Sequence, residues 1–404
     1  MMSYLATLYK DMSISAVTAG FVAVLVGFAS AIAIVFQAAI AIGANQAQLE
    51  SWVWALGIGM GISSISLSLW YKRPLIIAWS TPGAALLAAS VIDLTMAQAI
   101  GVFLFVGALI FITGISGMFS KLVSCIPVPI ASSMLAGILF QFGLGLFDAM
   151  QNDLLLVGVM LTSFVIMKLI APRLAIAFVL IVAILIVVLQ GRLDLSSMDV
   201  NLVSPVFVSP EFSLSLLIGI GLPMFIVTMS SQNLPGVAVL KASGYQEQSI
   251  SPVISMTGIT TLLFAPFGGF TFNLAAITAA ICMGEDAHPD KDKRYVAGLS
   301  AGIFNIFAGI FGTAVVGLFI AFPKELVAAL AGLALLNVIA SSLKVATASN
   351  EYRDAAILTF VVTASNFSLL GISSAFWGLV IGMAVIVLTR LFNKIFNRVE
   401  KSYE

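Results

Sequence analysis

Pro74-Leu-Ile-Ile-Ala-Trp-Ser80-Thr81-Pro82-Gly83 and Pro266-Phe-Gly268-Gly269-Phe-Thr-Phe-Asn273-Leu274 decide how this chain folds. Each opens with a proline, which cannot donate to a helix ladder and pushes its predecessor out of the helical region. Each then runs extended for about seven residues and meets a helix-starting residue followed by a short apolar helix. In a membrane chain, broken helices at matching positions of two halves point to the substrate site of a transporter.

The surrounding sequence places both breaks inside a membrane. The 404 residues are 61% hydrophobic and 9% charged, where a soluble domain carries roughly 25% charged residues. Mean hydropathy is +1.13. Apolar runs recur from Phe21 to Leu391 at the length of about 20 residues that crosses about 30 Å of hydrocarbon. An all-α polytopic membrane protein follows. The formal charge of zero suggests no nucleic-acid partner. Lys10 and Asp11 lead straight into a long span, so no cleavable signal peptide is expected. Cys125 and Cys282 form no framework and read as packing residues, with no metal or cofactor implied.

Hydropathy gives helices near 14–43, 52–70, 96–119, 128–147, 153–171, 174–190, 213–235, 250–265, 295–320, 325–343, 355–371 and 374–392. Half-length elements near 74–92 and 266–284 bring the total to about fourteen segments, seven in 1–205 and seven in 206–404. With the N-terminus inside, sixteen of the 18 basic residues fall on the cytoplasmic side, and only Arg192 and Lys324 fall outside, a strong positive-inside bias. The bias holds only if both short elements cross the membrane. Both termini are then cytoplasmic, and the tail from Arg390 is a basic amphipathic continuation at the inner surface.

A shift of roughly 193–196 residues brings the halves into register. Ser80 meets Asn273, Leu135-Ala-Gly137-Ile meets Leu330-Ala-Gly332-Leu, and Gln37 meets the Ser230–Gln232 region. Seven segments per repeat is odd, so the second repeat is inverted in the membrane.

The breaks carry the chemistry. Ser80 or Thr81 followed by Pro82 is a hydroxyl N-cap with proline in the first turn. Asn273 is expected to cap the second half-helix in the same way. Two helix N-termini would then converge near the midplane, where unpaired N–H groups and positive dipole ends suit an anion. Gln37, Gln232 and Asn233 are polar groups in apolar segments and read either as pathway residues or as interhelical hydrogen bonds without ligand contact. Trp79, Phe267, Phe270 and Phe272 are available for an aromatic wall, plain packing being the competing reading. All 18 acidic residues fall in loops or at helix ends. This disfavours an intramembrane enzyme and a cationic substrate, and leaves proton coupling with no residue beyond the weak candidate Asp93. Asp93 reads more simply as part of a helix start in which Thr95 and Gln98 form a capping box.

Ala78-Trp-Ser-Thr-Pro-Gly-Ala-Ala-Leu86, Thr228-Met-Ser-Ser-Gln-Asn-Leu-Pro-Gly236, Ala276-Ile-Thr-Ala-Ala-Ile-Cys282, Ala287-His-Pro-Asp-Lys-Asp292 and Ser374-Ala-Phe-Trp-Gly378 together resemble the BenE family of bacterial benzoate transporters, over essentially the whole chain. The resemblance implies a benzoate–proton symporter of the bacterial inner membrane. The family is similar in fold to uracil permease and SLC26-type anion transporters, with seven-plus-seven inverted repeats. That similarity implies a core domain (about 14–125 and 213–320), a gate domain (about 127–190 and 324–398) and a homodimer through the gate. In the nucleobase branch, acidic residues on segments 8 and 10 hold substrate and proton. Here the Ser231–Gln232 region and Phe272 stand at those positions, with Asn273 as the neighbouring polar residue, which argues against nucleobases. The expected function is an importer of benzoate or a related aromatic carboxylate, bound by Ser80, Thr81, Gln37, Gln232, Asn233, Asn273 and Phe272. An anion channel or a carrier of another small organic anion is the alternative.

Overall fold

The computed structural model describes residues 10–90, 94–119, 121, 126–172, 175–193, 201–245, 248–365, 367–370 and 372–400, without the side chains of Ser30 and 393–400. Asp93, Cys125, Asp194 and Asp199 lie outside the described residues. The first half contains α1 (Ile14–Ala41), α2 (Gln46–Tyr71), β1 (Ile77–Trp79), α3 (Thr81–Ala88), α4 (Met96–Ile115), α5 (Val128–Asn152), α6 (Leu154–Ile170) and α7 (Ala175–Leu189). In the second half, α8 (Leu214–Ala242) is followed by α9 (Ser251–Phe264), β2 (Phe272–Leu274), α10 (Ile277–Met283) and α11 (Tyr295–Ile310). After a 65° bend, α11 continues as Gly312–Ile320. The chain ends with α12 (Lys324–Thr347), α13 (Arg353–Ala364) and α14 (Ser374–Glu400). Of the described helices, α2, α4, α5, α8, α12 and α14 are each long and apolar enough to cross a membrane alone.

Three departures from the sequence reading bear on the site and its frame. The eighth helix runs on past Pro235 to Ala242. Both of its prolines follow a π turn, Pro223 after Leu217–Gly221 and Pro235 after Met229–Asn233. The wider turn shifts the hydrogen-bond ladder where a proline would otherwise break it. The thirteenth helix stops at Ala364, and a turn closed by a Leu369–Ile372 bridge takes over, with Leu370 in the left-handed region (φ 57°). The extended runs of the two breaks narrow to three paired residues each, Ile77 facing Leu274, Ala78 facing Asn273 and Trp79 facing Phe272, antiparallel.

The strand pair sits on a pseudo-twofold axis that hydrogen bonds make visible. Ile77 N–H donates to Ser64 Oγ of α2 (2.9 Å), and Phe272 N–H donates to Thr261 Oγ1 of α9 (3.0 Å). Ser63 and Thr260, one residue earlier in each helix, share a buried hydrogen bond of 2.6 Å across the axis. Buried backbone N–H groups need such partners where no helix supplies them. Packing obeys the same exchange: α2 lies along α11 as α9 lies along α4, α1 contacts α12 as α8 contacts α5, and α5 lies along α12. The first two seams are built on glycine. A Cβ on Gly57 would stand 2.6 Å from Gly309 Cα, and one on Gly258 would stand 2.4 Å from Phe111 N. Such contacts let helix backbones approach closely where lipid offers no hydrophobic drive.

Charged residues gather at the two ends of the bundle. Asp11 accepts from Tyr295 (2.8 Å), and Lys72 lies 4.1 Å from the same ring. Arg294 donates to Met283, His288 and Pro289 carbonyls, fastening the end of α10. At the opposite end, Arg192 pairs with Asp153 and, at 3.7 Å, with Glu325. Burial pushes the Asp153 carboxyl up, but the hydrogen bonds from Arg192 and Leu156 N–H, with the Arg192 charge, hold it below its ordinary value. A depressed carboxyl stabilises the fold above its unfolded pKa, and that contribution disappears as pH falls through the folded value. Asp153→Asn is therefore expected to lower the thermal midpoint at pH 7. Melts repeated at descending pH should show the difference from wild type closing in acid; a constant difference would contradict the linkage.

Candidate functional site

Ser80 stands where β1 turns into α3, and its side chain explains the start of that helix. Its Oγ accepts from Gly83 N–H (3.2 Å) and shares a 2.8 Å hydrogen bond with Thr228 Oγ1 of α8. Its own N–H donates to Thr271 O (2.9 Å), and its carbonyl accepts from Ala84 N–H. Pro82 has no N–H. Of the first-turn donors of α3, the N–H of Thr81 is left to meet a ligand.

The second break differs. Asn273 lies inside β2 and does not cap α10. The helix starts four residues later, with Ala276 at the cap position and no side-chain cap bond. Strand pairing with Ala78 takes the backbone of Asn273, which moves the helix start downstream. Both amide atoms of its buried side chain lack a hydrogen-bond partner. With only seven residues and no cap, α10 is a weaker dipole than the sequence suggested. The first hydrogen bond of its ladder runs from Ala280 N–H to Ala276 O, so the preceding amides face outward unpaired by the helix.

Both helix starts open into one cavity of about 290 Å³, at the small end of the roughly 300–1,000 Å³ range of ligand pockets. Thr81 of α3 and Ala276, Ile277 and Thr278 at α10 line it, with Ser231, Gln232 and Pro235 of α8. Ala23, Val24, Val26, Gly27, Phe28 and Ala31 of α1, Asn305 of α11 and Val338 and Ser341 of α12 close it. The rings of Phe28 and Trp79, both in the wall, meet edge to face at 4.9 Å. The polar lining is neutral throughout: Thr81, Ser231, Gln232, Thr278, Asn305 and Ser341. The π turn Met229–Asn233 produces this arrangement on α8, with Ser231 and Gln232 in the cavity wall and Asn233 bonded to β2. π bulges are frequent at functional sites for this reason.

The seven residues gathered by the sequence reading are thus divided. Thr81 and Gln232 line the cavity. Ser80, Asn233 and Asn273 are fully buried behind it. Asn233 Oδ1 accepts from Leu274 N–H at 2.8 Å, and its Nδ2 donates to Met229 Sδ at 3.1 Å. Phe272 is buried with its ring over Gly59 and beside Phe264, away from the cavity. Gln37 lines a separate cleft. Of the other aromatic candidates Trp79 is in the wall, Phe270 packs on Trp52 and Phe103, and Phe267 packs on Trp54 and Phe207. Phe28, Thr278, Asn305 and Ser341 join the site unannounced. Asn305 is a lone amide in an apolar helix, the same signal that singles out Gln37.

Comparison with known proteins fits this geometry. The BenE family, described as benzoate membrane transport protein, matches residues 10–388. "Inner membrane protein YdcO" of Escherichia coli is 47% identical over 373 residues, 92% of this chain and 95% of that protein. "Benzoate membrane transport protein" of Acinetobacter baylyi is 43% identical over 383 residues, 95% and 97% of the two chains. Among solved structures, the transmembrane domain of the cyanobacterial bicarbonate transporter BicA aligns with TM-score 0.57 at 14% identity, over 92% of this chain and 97% of that one. SLC26A9 aligns with TM-score 0.63 at 13% identity, over 95% and 66%. These likenesses show the fold, seven plus seven inverted segments with the third and tenth broken. A multi-pass inner-membrane transporter, not an enzyme, accounts for sequence and structure together: the chain belongs to the BenE family of benzoate membrane transport proteins.

Proposed function

We propose that the protein is a secondary carrier importing benzoate or a related aromatic carboxylate by proton symport. The observation that carries this reading is the neutral cavity into which both half-helix starts open. A carboxylate placed at Thr81 meets the positive end of α3 and amides from Gln232 and Asn305, and the Phe28–Trp79 pair provides the face for its ring. No side chain in the described lining is a cation. A bare anion crossing in such a site keeps its full charge in a low-dielectric surrounding, at a cost of several kcal/mol, which a co-transported proton removes. In this reading α1–α4 and α8–α11 form the substrate-carrying core, and α5–α7 with α12–α14 form the gate. The basic residues keep both termini cytoplasmic, and a homodimer forms through the gate. Alternating access is an elevator or rocking motion along the seam where α1 meets α12 and α8 meets α5.

Purified protein in liposomes is expected to accumulate labelled benzoate under an inward proton gradient, saturably, and to stop when the gradient is collapsed. Passive electrogenic benzoate flux that ignores the pH gradient would replace the carrier by a channel. Absence of any flux would remove the substrate assignment.

A further inference from the structure

A second cavity, of about 190 Å³, lies at the far end of α3 and is used by nothing described so far. Gln37 of α1, Gln141, Phe142 and Gly145 of α5, Ala88 at the end of α3 and Ala328 of α12 form its walls. Along α1 the main cavity takes lining residues between Ala23 and Ala31, and the cleft takes Gln37; along α12 the main cavity takes Val338 and Ser341 and the cleft takes Ala328. The two spaces therefore sit at opposite ends of the same α1–α12 seam. Between Thr81 and Ala88 they are separated by about 10 Å of helix.

We propose that this cleft is a transit site for the aromatic carboxylate on its way to the main cavity, an inference that rests on the benzoate reading. A carboxylate only accepts, and the N–H groups of a primary amide donate to it; two such amides, Gln37 and Gln141, face one small space. Gln141 is held in place: its Nε2 donates to Ala364 O at 2.6 Å, which leaves its second N–H and its carbonyl for the cleft. Phe142, 8% exposed, gives the ring an aromatic neighbour, and the space over Gly145 is open, with no atom within 4 Å of where a Cβ would stand. α3 sets the direction. Its negative pole faces the cleft and its positive pole faces the main cavity, so a carboxylate is held weakly at Ala88 and more tightly at Thr81. The cleft passes its occupant on.

The test uses the full chain in membrane vesicles, with Cys125 and Cys282 replaced by alanine and benzoate as the probe. A thiol introduced by Ala328→Cys, which leaves both amides in place, is modified by a methanethiosulfonate reagent, and benzoate is expected to slow the reaction. Half-maximal protection should need at least fivefold more benzoate than at a thiol introduced by Ser341→Cys in the main cavity. Adding Gln141→Ala should raise the protecting concentration at position 328 about fivefold further and leave position 341 unchanged. Protection at 341 with none at 328 overturns the transit site and leaves the benzoate reading standing. Protection at 328 that follows the concentration dependence of 341 and ignores Gln141→Ala means remote closure, and also overturns it. Protection at neither position overturns both. If Ala328→Cys does not reach the membrane, Gly145→Cys in the same cleft carries the same readout.

Discussion

Asn233→Ala is expected to reduce benzoate uptake about fivefold or more while the chain still reaches the membrane. Asn233 does not line the cavity; it holds the end of β2, and the residues that follow, Ala275 and Ala276, do line it. Its Oδ1 is the acceptor for the Leu274 N–H, at the last residue of β2 and two residues before the amides that open into the site. Alanine leaves that N–H buried and unpaired, a penalty of about 1–3 kcal/mol. The protein escapes the penalty by letting Leu274 and the start of α10 move, which dismantles one side of the cavity. Converted at about 1.4 kcal/mol per factor of ten, the same range corresponds to a benzoate Kd roughly 5- to 150-fold weaker. Ser230→Ala is the control. Ser230 Oγ bonds Ile226 O within its own helix, so its removal should leave Kd within about twofold. Equilibrium binding in detergent separates the two. Normal Kd in Asn233→Ala would show that the strand is held without it.

The two proline-led breaks were readable because they combine signals that rarely coincide: a proline, an extended apolar run and a small polar residue at a helix start. Ser80 shows the reading at its best, since its hydroxyl does cap α3. Asn273 shows where it fails. Cap propensity describes a residue in its own segment, whereas the pairing of Asn273 with Ala78 is a contact across 195 residues that no local preference encodes. The same limit explains Asn233 and Phe272. Polar and aromatic residues near a site were legible as such, but the face each presents depends on a π turn in α8 and on strand alternation. Gln37 was legible as a polar group in an apolar segment; its depth along α1 puts it in a second cleft rather than the main cavity. The capping box at Thr95 and Gln98, wholly local, was read correctly.

Gly268→Ala is expected to remove most of the folded protein from the membrane, because two independent costs coincide there. Gly268 has φ +94°, a conformation that an alanine adopts at a cost of about 1–3 kcal/mol. A Cβ at this position would also stand 1.8 Å from Cδ1 and 2.2 Å from Nε1 of Trp52. Trp52 is 2% exposed and lies against the rings of Phe103 and Phe270, at 5.7 and 5.6 Å, so moving it aside displaces its neighbours as well. Overpacking of a tight core adds about 1–3 kcal/mol, and the sum is a large share of a typical stability of about 5–15 kcal/mol. Gly43→Ala isolates the first cost. Gly43 also has positive φ, +78°, but nothing lies within 4 Å of its Cβ position. Thermal melts of the two variants should therefore differ, Gly43→Ala falling modestly and Gly268→Ala severely. Equal shifts would mean that Trp52 yields. The consequence reaches the site, since Gly268 is the turn that aims β2 at the strand crossing. A Trp52→Phe background, which removes the indole edge, should restore part of the Gly268→Ala loss, in fold and in benzoate uptake together.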